Sequence, residues 1–188
     1  EKGEKNCGEN VGRSTVNFMG NQLELVKELY KINKNIIVVM INGRPLSEPW
    51  VKENIPAIIE AWEGGSFAGQ AIAEIVAGEV NPSGKLTMTF AHHAGQLPMV
   101  YNHKPSVFFH KYIDAPSKPL YHFGYGLSYT NYEYSELSLD KGSMSASENL
   151  LASVKVTNTG DVAGEEVVQL YIRDDVSSVT RPVKELKG

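Results

Sequence analysis

Hydrophobic side chains in the first part of the chain follow helix spacing and strand spacing in turn. Residues 21–34 carry an apolar stripe at helical spacing, which predicts a helix. Residues 36–41 form a continuous apolar run rich in β-branched side chains, which is typical of a strand covered on both faces, as in a parallel sheet. A second apolar run at 57–62 predicts another strand. The helical stripe consists of Leu23, Leu25, Val26, Leu29 and Tyr30.

Three further elements extend this pattern. The sequence predicts a short helix around residues 47–54 and a longer helix that opens at residues 64–66. Leu86, Met88 and Phe90 then alternate with polar residues, which predicts a third strand. Because strands and helices alternate along the chain, we expect an α/β fold with a mainly parallel sheet flanked by helices.

The hydrophobic pattern changes in the second part of the chain. Residues 92–129 are rich in proline and aromatic residues, which indicates a long ordered loop or a connection between domains. From residue 132 onward the apolar period is two, with candidate strands at 132–137, 151–156 and 167–172. Short strands separated by turns predict the first strands of an all-β, immunoglobulin-like sandwich. We therefore place one domain at residues 1–130 and a partial second domain at 131–188.

Composition and charge exclude several classes of protein. The 188 residues are 41% hydrophobic, which is enough for a packed core. The net charge of −4 and the lack of a long basic run give no electrostatic footprint for nucleic acid. No apolar stretch approaches the roughly 20 residues of a membrane-spanning helix. A single cysteine, Cys7, excludes an internal disulfide framework and a metal site built from several cysteines.

Both ends of the sequence have the pattern expected where a chain is cut within a folded region. Residues 1–9 contain neither an initiating methionine nor an apolar signal core. Residues 183–188 alternate like a strand with nothing after them. We therefore expect the chain to be a piece of a larger protein.

The N-terminal loop contains the first candidate for chemistry. Glu4 and Glu9 lie among three glycines, and Arg13 follows Glu9 by four positions. Glycines let a backbone approach a ligand closely, and a carboxyl group with a raised pKa can act as a general acid. The alternative is a solvated acidic loop near a chain terminus, and the residues alone favour that simpler interpretation.

The turns that follow the predicted strands at 36–41 and 57–62 are a second candidate for a ligand-binding site. Asn42-Gly43-Arg44-Pro45 and Gly64-Gly65-Ser66 lie where open α/β sheets bind ligands. Neither turn ends in the Gly-Lys-Ser/Thr of a phosphate-binding loop, so ordinary turn chemistry is the favoured interpretation.

The remaining candidates receive little support from the sequence. The histidines lack the spacing of a zinc site on a helix, and the serines lack the surroundings of an α/β-hydrolase nucleophile. No histidine is marked as a partner that would activate Cys7. Aromatic side chains could stack on sugar rings or pack in a core. The histidines are His92, His93, His103, His110 and His122.

Several motifs together resemble one known family. Asn42-Gly43-Arg44-Pro45-Leu46 is followed by the segment 59–65 and then by Asn81-Pro82-Ser83-Gly84-Lys85-Leu86. Gln96-Leu97-Pro98 and the aromatic segment 121–130 come next in the same order. Over nearly all of its length, the chain resembles the C-terminal part of a glycoside hydrolase family 3 enzyme of the bacterial β-glucosidase type. Segments after residue 150 resemble the opening strands of the fibronectin type III-like domain that follows in many members.

The resemblance implies a division of catalytic residues between domains. Such enzymes begin with a TIM-like barrel that carries the nucleophilic aspartate, and this chain contains no barrel. The α/β sandwich domain contributes the acid/base glutamate on a loop over the barrel mouth. Glu9, followed by Arg13 as a supporting residue, is similar to the family's Glu-x-x-x-Arg pattern. Glu4 is the second choice for the acid/base.

The resemblance also implies an activity. We expect part of a retaining, exo-acting β-glycosidase, with β-glucosidase as the first choice. The alternatives are a β-xylosidase, another exo-glycosidase of the family, or a non-catalytic carbohydrate-binding or structural fragment. The implied partners are a β-linked glycoside substrate and the absent barrel, without a metal or organic cofactor. A periplasmic or secreted location is expected by the same resemblance.

Overall fold

The computed structural model describes residues 12–105 and 112–188. By packing, the chain divides into two units. Of the described residues, the first unit comprises 12–72, 86–105, 112–125 and 169–188, and the second comprises 73–85 and 126–168. The domain boundary between residues 130 and 131 stays a prediction.

A two-stranded parallel sheet with helices organises the first unit. Helix α1 spans Gln22–Ile32 and precedes strand β1, Ile37–Met40. Helix α2 spans Pro49–Asn54 and precedes strand β2, Ala57–Glu60. The two strands pair in parallel, with Ile37 beside Ala57 and Met40 beside Glu60. This arrangement confirms the predicted α/β class with its parallel sheet.

Local sequence accounts for these helices. The first helix is composed mainly of strong helix formers and carries the ion pairs Glu24–Lys27 and Glu28–Lys31. The second helix begins with a proline, whose fixed φ suits the first helical position. A one-turn 3₁₀ helix at Gly65–Phe67 then leads into helix α3, Ala68–Ala77.

The core of the first unit lies against one face of the parallel strands. Met40, Phe90 and Leu120 form a buried cluster, and further apolar side chains pack around it. Phe90 makes an edge-to-face contact with Tyr121, with ring centroids 6.0 Å apart. The surrounding side chains are Phe18, Val38, Ile58, Trp62, Leu86 and Tyr121.

Helix α1 leaves part of its apolar stripe uncovered. None of its residues is fully buried, and Leu25 is 60% exposed. Tyr30 packs edge-to-face on Trp50 of helix α2, with centroids 5.6 Å apart. The predicted helix is therefore confirmed, and its packing uses one edge of the stripe.

The predicted third strand is wrong. Residues 86–90 do not join the parallel sheet, and Phe90 instead forms an isolated antiparallel bridge with Tyr121. The Leu86 N–H donates to the Tyr125 carbonyl at 2.8 Å, and the Phe90 N–H donates to the Tyr121 carbonyl at 2.9 Å. The aromatic segment 121–130 thus supplies the hydrogen-bond partners of residues 86–90. This explains why their apolar and polar side chains alternate although the residues form no strand of the sheet.

The second unit contains an antiparallel pair of strands. Strand β3, Tyr132–Leu139, pairs with strand β4, Ala152–Asn158. The register shifts between Ser135 and Ser138, where Glu136 has a positive φ of 54°. Both predicted strands are confirmed, and the irregularity is a bulge that the alternation did not indicate.

The strand predicted at 167–172 is much shorter than expected. Strand β5 comprises only Tyr171–Ile172 and belongs to the first unit. It pairs antiparallel with strand β6, Glu185–Leu186, within the C-terminal segment that alternates in sequence. Tyr171 also packs edge-to-face on Tyr101, with centroids 5.8 Å apart.

Candidate functional site

The loop that follows the predicted acid/base residues is ordered by its own arginine. Glu9, Glu4 and Cys7 lie outside the described residues. Arg13 is described, and its Nη2 donates to the Asn17 carbonyl at 2.6 Å and to the Thr15 hydroxyl at 3.4 Å. The guanidinium therefore closes a short turn in the segment directly after Glu9.

Ser47 and Glu48 hold the end of this loop through three hydrogen bonds. The Ser47 N–H donates to the Val16 carbonyl at 2.6 Å. The Asn17 side-chain amide donates to the Ser47 carbonyl at 3.0 Å, and the Phe18 N–H donates to Glu48 Oε1 at 2.7 Å. Three consecutive residues of the loop are thus fixed by two residues that precede helix α2.

This attachment rests on the core of the first unit. Ser47 is 1% exposed and Glu48 is 7% exposed. The Ser47 hydroxyl donates to the carbonyl of Ala91, which directly follows the buried Phe90. Phe18 packs against the same buried cluster. The loop therefore leads from the predicted acid/base position into rigid structure.

A second polar cluster lies at the carboxyl ends of the parallel strands. Asn42 Nδ2 donates to the Arg44 carbonyl at 2.8 Å and to Glu60 Oε1 at 3.1 Å. The Trp62 N–H donates to the same Glu60 oxygen at 3.2 Å. Burial raises the pKa of Glu60, although these hydrogen bonds oppose the effect. Among the described residues, Asn42 Oδ1 and Glu60 Oε2 are buried without a hydrogen-bond partner.

Neither Glu60 nor Glu48 is marked as a candidate by any sequence motif. Glu60 is the last residue of an apolar strand. A carboxylate at a strand end, near the turn at Asn42, is the sequence signal that could have indicated a polar cluster there. Glu48 is 30 positions from its partner Phe18, and nothing local indicates that contact. The turn at Asn42 is a polar network rather than a phosphate cradle, in line with the favoured interpretation.

The glycine turn after strand β2 is explained by packing. Gly65 has a positive φ of 69°, a conformation that glycine adopts without strain. A Cβ at Gly64 would lie 2.8 Å from the Cβ of Ala68, so helix α3 approaches the turn too closely for a side chain. Plain turn chemistry accounts for both glycines.

The described histidines do not assemble a metal site. Burial lowers the pKa of His92, and the charges of Lys52 and His93 add to the effect. His93 packs edge-to-face on Tyr112, with centroids 4.7 Å apart. Within residues 12–105 and 112–188, no three histidine, cysteine, aspartate or glutamate side chains cluster to hold a metal ion. His110 lies outside the described residues.

Comparison with known protein families identifies the fold. Residues 2–129 match the model of the glycosyl hydrolase family 3 C-terminal domain. The chain belongs to glycosyl hydrolase family 3. Residues 166–188 match a fibronectin type III-like domain, as the motif analysis predicted. The family match includes Glu4, Glu9 and Arg13 within its range.

Relatives of this family 3 chain are β-xylosidases and β-glucosidases. A β-xylosidase of Formosa agariphila is 48% identical over 98% of the chain and 26% of its own length. A periplasmic β-glucosidase of Salmonella typhimurium is 39% identical over 94% of the chain and 24% of its own length. The solved structure of a β-glucosidase from Erythrobacter marinus matches with a TM-score of 0.91 and 45% identity, over 97% of this chain and 24% of that one.

The family 3 chain therefore spans about a quarter of the length of the relatives it matches. None of the helices in the described part of the chain combines the length and the apolar character needed to span a membrane.

Proposed function

We propose that this chain is the C-terminal part of a retaining, exo-acting β-glycosidase that releases terminal, non-reducing β-D-glucosyl residues. The family match over residues 2–129 carries the proposal, because the matched relatives are named as β-glycosidases of two sugar types. In this proposal the chain contributes the acid/base, and a preceding barrel contributes the nucleophilic aspartate.

The reaction needs two carboxyl groups about 5–5.5 Å apart. The aspartate attacks the anomeric carbon while Glu9, initially protonated, gives its proton to the leaving-group oxygen as the glycosidic bond breaks. In the second step Glu9 takes a proton from water, and the water oxygen displaces the aspartate from the sugar. Glu9 ends the cycle protonated, as it began.

The contacts of residues 13–18, which follow Glu9 in sequence, support this assignment. Arg13 closes the turn after Glu9, and the loop then reaches Ser47 and Glu48 in buried structure. A general acid is effective only when it is held within hydrogen-bonding reach of the oxygen that it protonates. Anchoring of residues 16–18 meets that requirement better than a solvated segment at this point of the chain would.

β-Xylosidase activity is the second candidate for the whole protein. The 48% identical relative is named a β-xylosidase, while other relatives are named β-glucosidases. A xyloside lacks the hydroxymethyl group of a glucoside, so the choice depends on residues around that group. We propose a periplasmic or secreted location, supported by the relative named as a periplasmic β-glucosidase.

Hydrolysis of a substrate panel by the full-length protein tests the proposal. We expect turnover of 4-nitrophenyl β-D-glucoside above that of the β-D-xyloside, and no turnover of the α-anomers. The isolated 188-residue chain, confirmed as folded by circular dichroism, should hydrolyse none of them because it lacks the nucleophile.

Three outcomes of this panel would contradict parts of the proposal. Faster hydrolysis of the xyloside would change the proposed sugar specificity from glucose to xylose and leave the proposed retaining reaction unchanged. Turnover by the isolated chain would place the nucleophile within it. No turnover by the full-length protein, combined with glycan binding in a titration, would indicate a non-catalytic carbohydrate-binding protein.

A further inference from the structure

We propose that Glu48 is a positioning residue for the acid/base loop. This inference rests on the proposed function, because it assumes that Glu9 is the general acid. Glu48 lies in the turn before helix α2, and its carboxylate accepts the Phe18 N–H at 2.7 Å. It therefore acts on the reaction through the loop, without touching the substrate.

The position of Glu48 makes this contact unusual. Glu48 is the residue before Pro49, at the N-terminal cap of helix α2, a position where Ser, Thr, Asp and Asn side chains commonly bond the first free N–H groups of the helix. Its side chain makes no such capping bond. The carboxylate reaches instead across the structure to a backbone N–H 30 positions earlier.

Burial makes the contact strong. Glu48 is 7% exposed and Phe18 is partly buried, so little water is available to replace the carboxylate as acceptor for the Phe18 N–H. A donor that loses its partner where water is scarce is unfavourable, so we expect the backbone at Phe18 to move towards another acceptor. Hydrogen bonds in which the acceptor carries charge are also stronger than neutral ones.

The bond also determines where Arg13 lies. The Asn17 carbonyl that accepts from Arg13 belongs to the residue directly before Phe18. Movement of Phe18 would therefore shift that carbonyl and loosen the turn that Arg13 closes. Glu9 precedes Arg13 by four positions in sequence, so we expect a looser turn to make proton transfer from Glu9 less efficient.

The sensitivity of the rate to the leaving group tests this role. In the full-length protein, Glu48→Ala should lower kcat/KM for a phenyl β-glycoside by about 10- to 100-fold, because this leaving group needs its proton. The rate for the 2,4-dinitrophenyl β-glycoside, whose leaving group departs without protonation, should change far less. The sugar is whichever of glucose and xylose the wild type prefers.

Two further variants separate positioning from general damage. Glu48→Gln retains the Oε1 acceptor and should recover most of the phenyl glycoside rate. Glu53→Ala removes an exposed carboxylate from helix α2, which directly follows Glu48, and should change either rate by no more than about twofold. Glu48→Asp, which withdraws the acceptor by one methylene, should repeat the selective loss if the alanine variant fails to fold.

The ratio of the two rates decides the outcome. A smaller folded fraction lowers both rates equally and leaves their ratio unchanged, so equal losses in Glu48→Ala or Glu48→Asp would overturn the proposal. Glu9→Ala, measured beside them, reports on the proposed function itself. If Glu9→Ala is leaving-group selective and the Glu48 variants are not, only the positioning role fails. If Glu9→Ala is unselective, the assignment of the acid fails, and the positioning role fails with it.

Discussion

Ser47 and Glu48 form one polar cluster of the first unit, and Asn42 and Glu60 form another at the ends of the parallel strands. In the first cluster, the Ser47 hydroxyl and Glu48 Oε1 both have backbone partners. In the second, one oxygen of each side chain is buried without a partner among the described residues. A satisfied buried network rigidifies its surroundings, whereas a partly satisfied one is destabilising.

This difference separates two roles. The first cluster fixes Val16, Asn17 and Phe18, which follow the predicted acid/base in sequence, and its contribution is rigidity. The second cluster holds a carboxyl whose pKa is raised by burial, and it lies where α/β sheets commonly bind ligands. The position of Trp62, with a positive φ of 50°, adds local strain to the second cluster.

Removing the Ser47 hydroxyl should have the larger effect on stability. We expect Ser47→Ala to lower the free energy of unfolding by about 1–3 kcal/mol, because the Ala91 carbonyl loses its donor inside the protein. Urea denaturation of the full-length protein measures this change.

An exposed serine provides the matched control for that measurement. Ser66 lies on the glycine turn, and Ser66→Ala should change stability by no more than about 0.5 kcal/mol. Equal effects of the two substitutions would mean that the first cluster does not anchor the loop.

Glu60→Gln should have a smaller effect that depends on pH. Burial raises the pKa of Glu60, so the folded state keeps this proton to higher pH than the unfolded state does. The wild type should therefore lose stability as the pH rises above about 4.3, the ordinary pKa of a glutamate, and through the raised value. Glutamine does not titrate, so the stability of the variant relative to wild type should increase over the same window.

Denaturation curves between about pH 4 and pH 8 measure this difference. Glu63→Gln changes an exposed carboxylate of the neighbouring loop and should alter stability by no more than about 0.5 kcal/mol throughout. A Glu60→Gln variant whose relative stability falls with rising pH would reverse the sign and contradict the burial of this carboxyl.

The secondary structure of the first unit shows which features the sequence could predict. Strand β1 and helix α1 were predictable, because their spacing and residue types are local properties. The alternation at residues 86–90 led to a wrong strand prediction, because the backbone groups of these residues bond to the aromatic segment 121–130 and not to the sheet. Period-two spacing alone does not specify which segment a strand pairs with.

In the candidate site, too, local motifs were predictable and contacts distant in sequence were not. The motifs predicted the family and the order of its domains, and both predictions are confirmed by the family matches. The role of Glu48 was not predictable, because it depends on a contact with Phe18 across 30 positions of sequence. The role of Glu9 stays a prediction from its spacing to Arg13.

The rate of the full-length Glu9→Ala variant is the decisive test of whether Glu9 is the general acid. We expect kcat/KM to fall by about 10²- to 10⁴-fold for the phenyl β-glycoside and far less for the 2,4-dinitrophenyl β-glycoside. Azide, a nucleophile that needs no general base, should restore part of the turnover of the activated substrate. Equal losses for both substrates, without rescue by azide, would contradict the account and transfer the role to Glu4 or to a residue elsewhere.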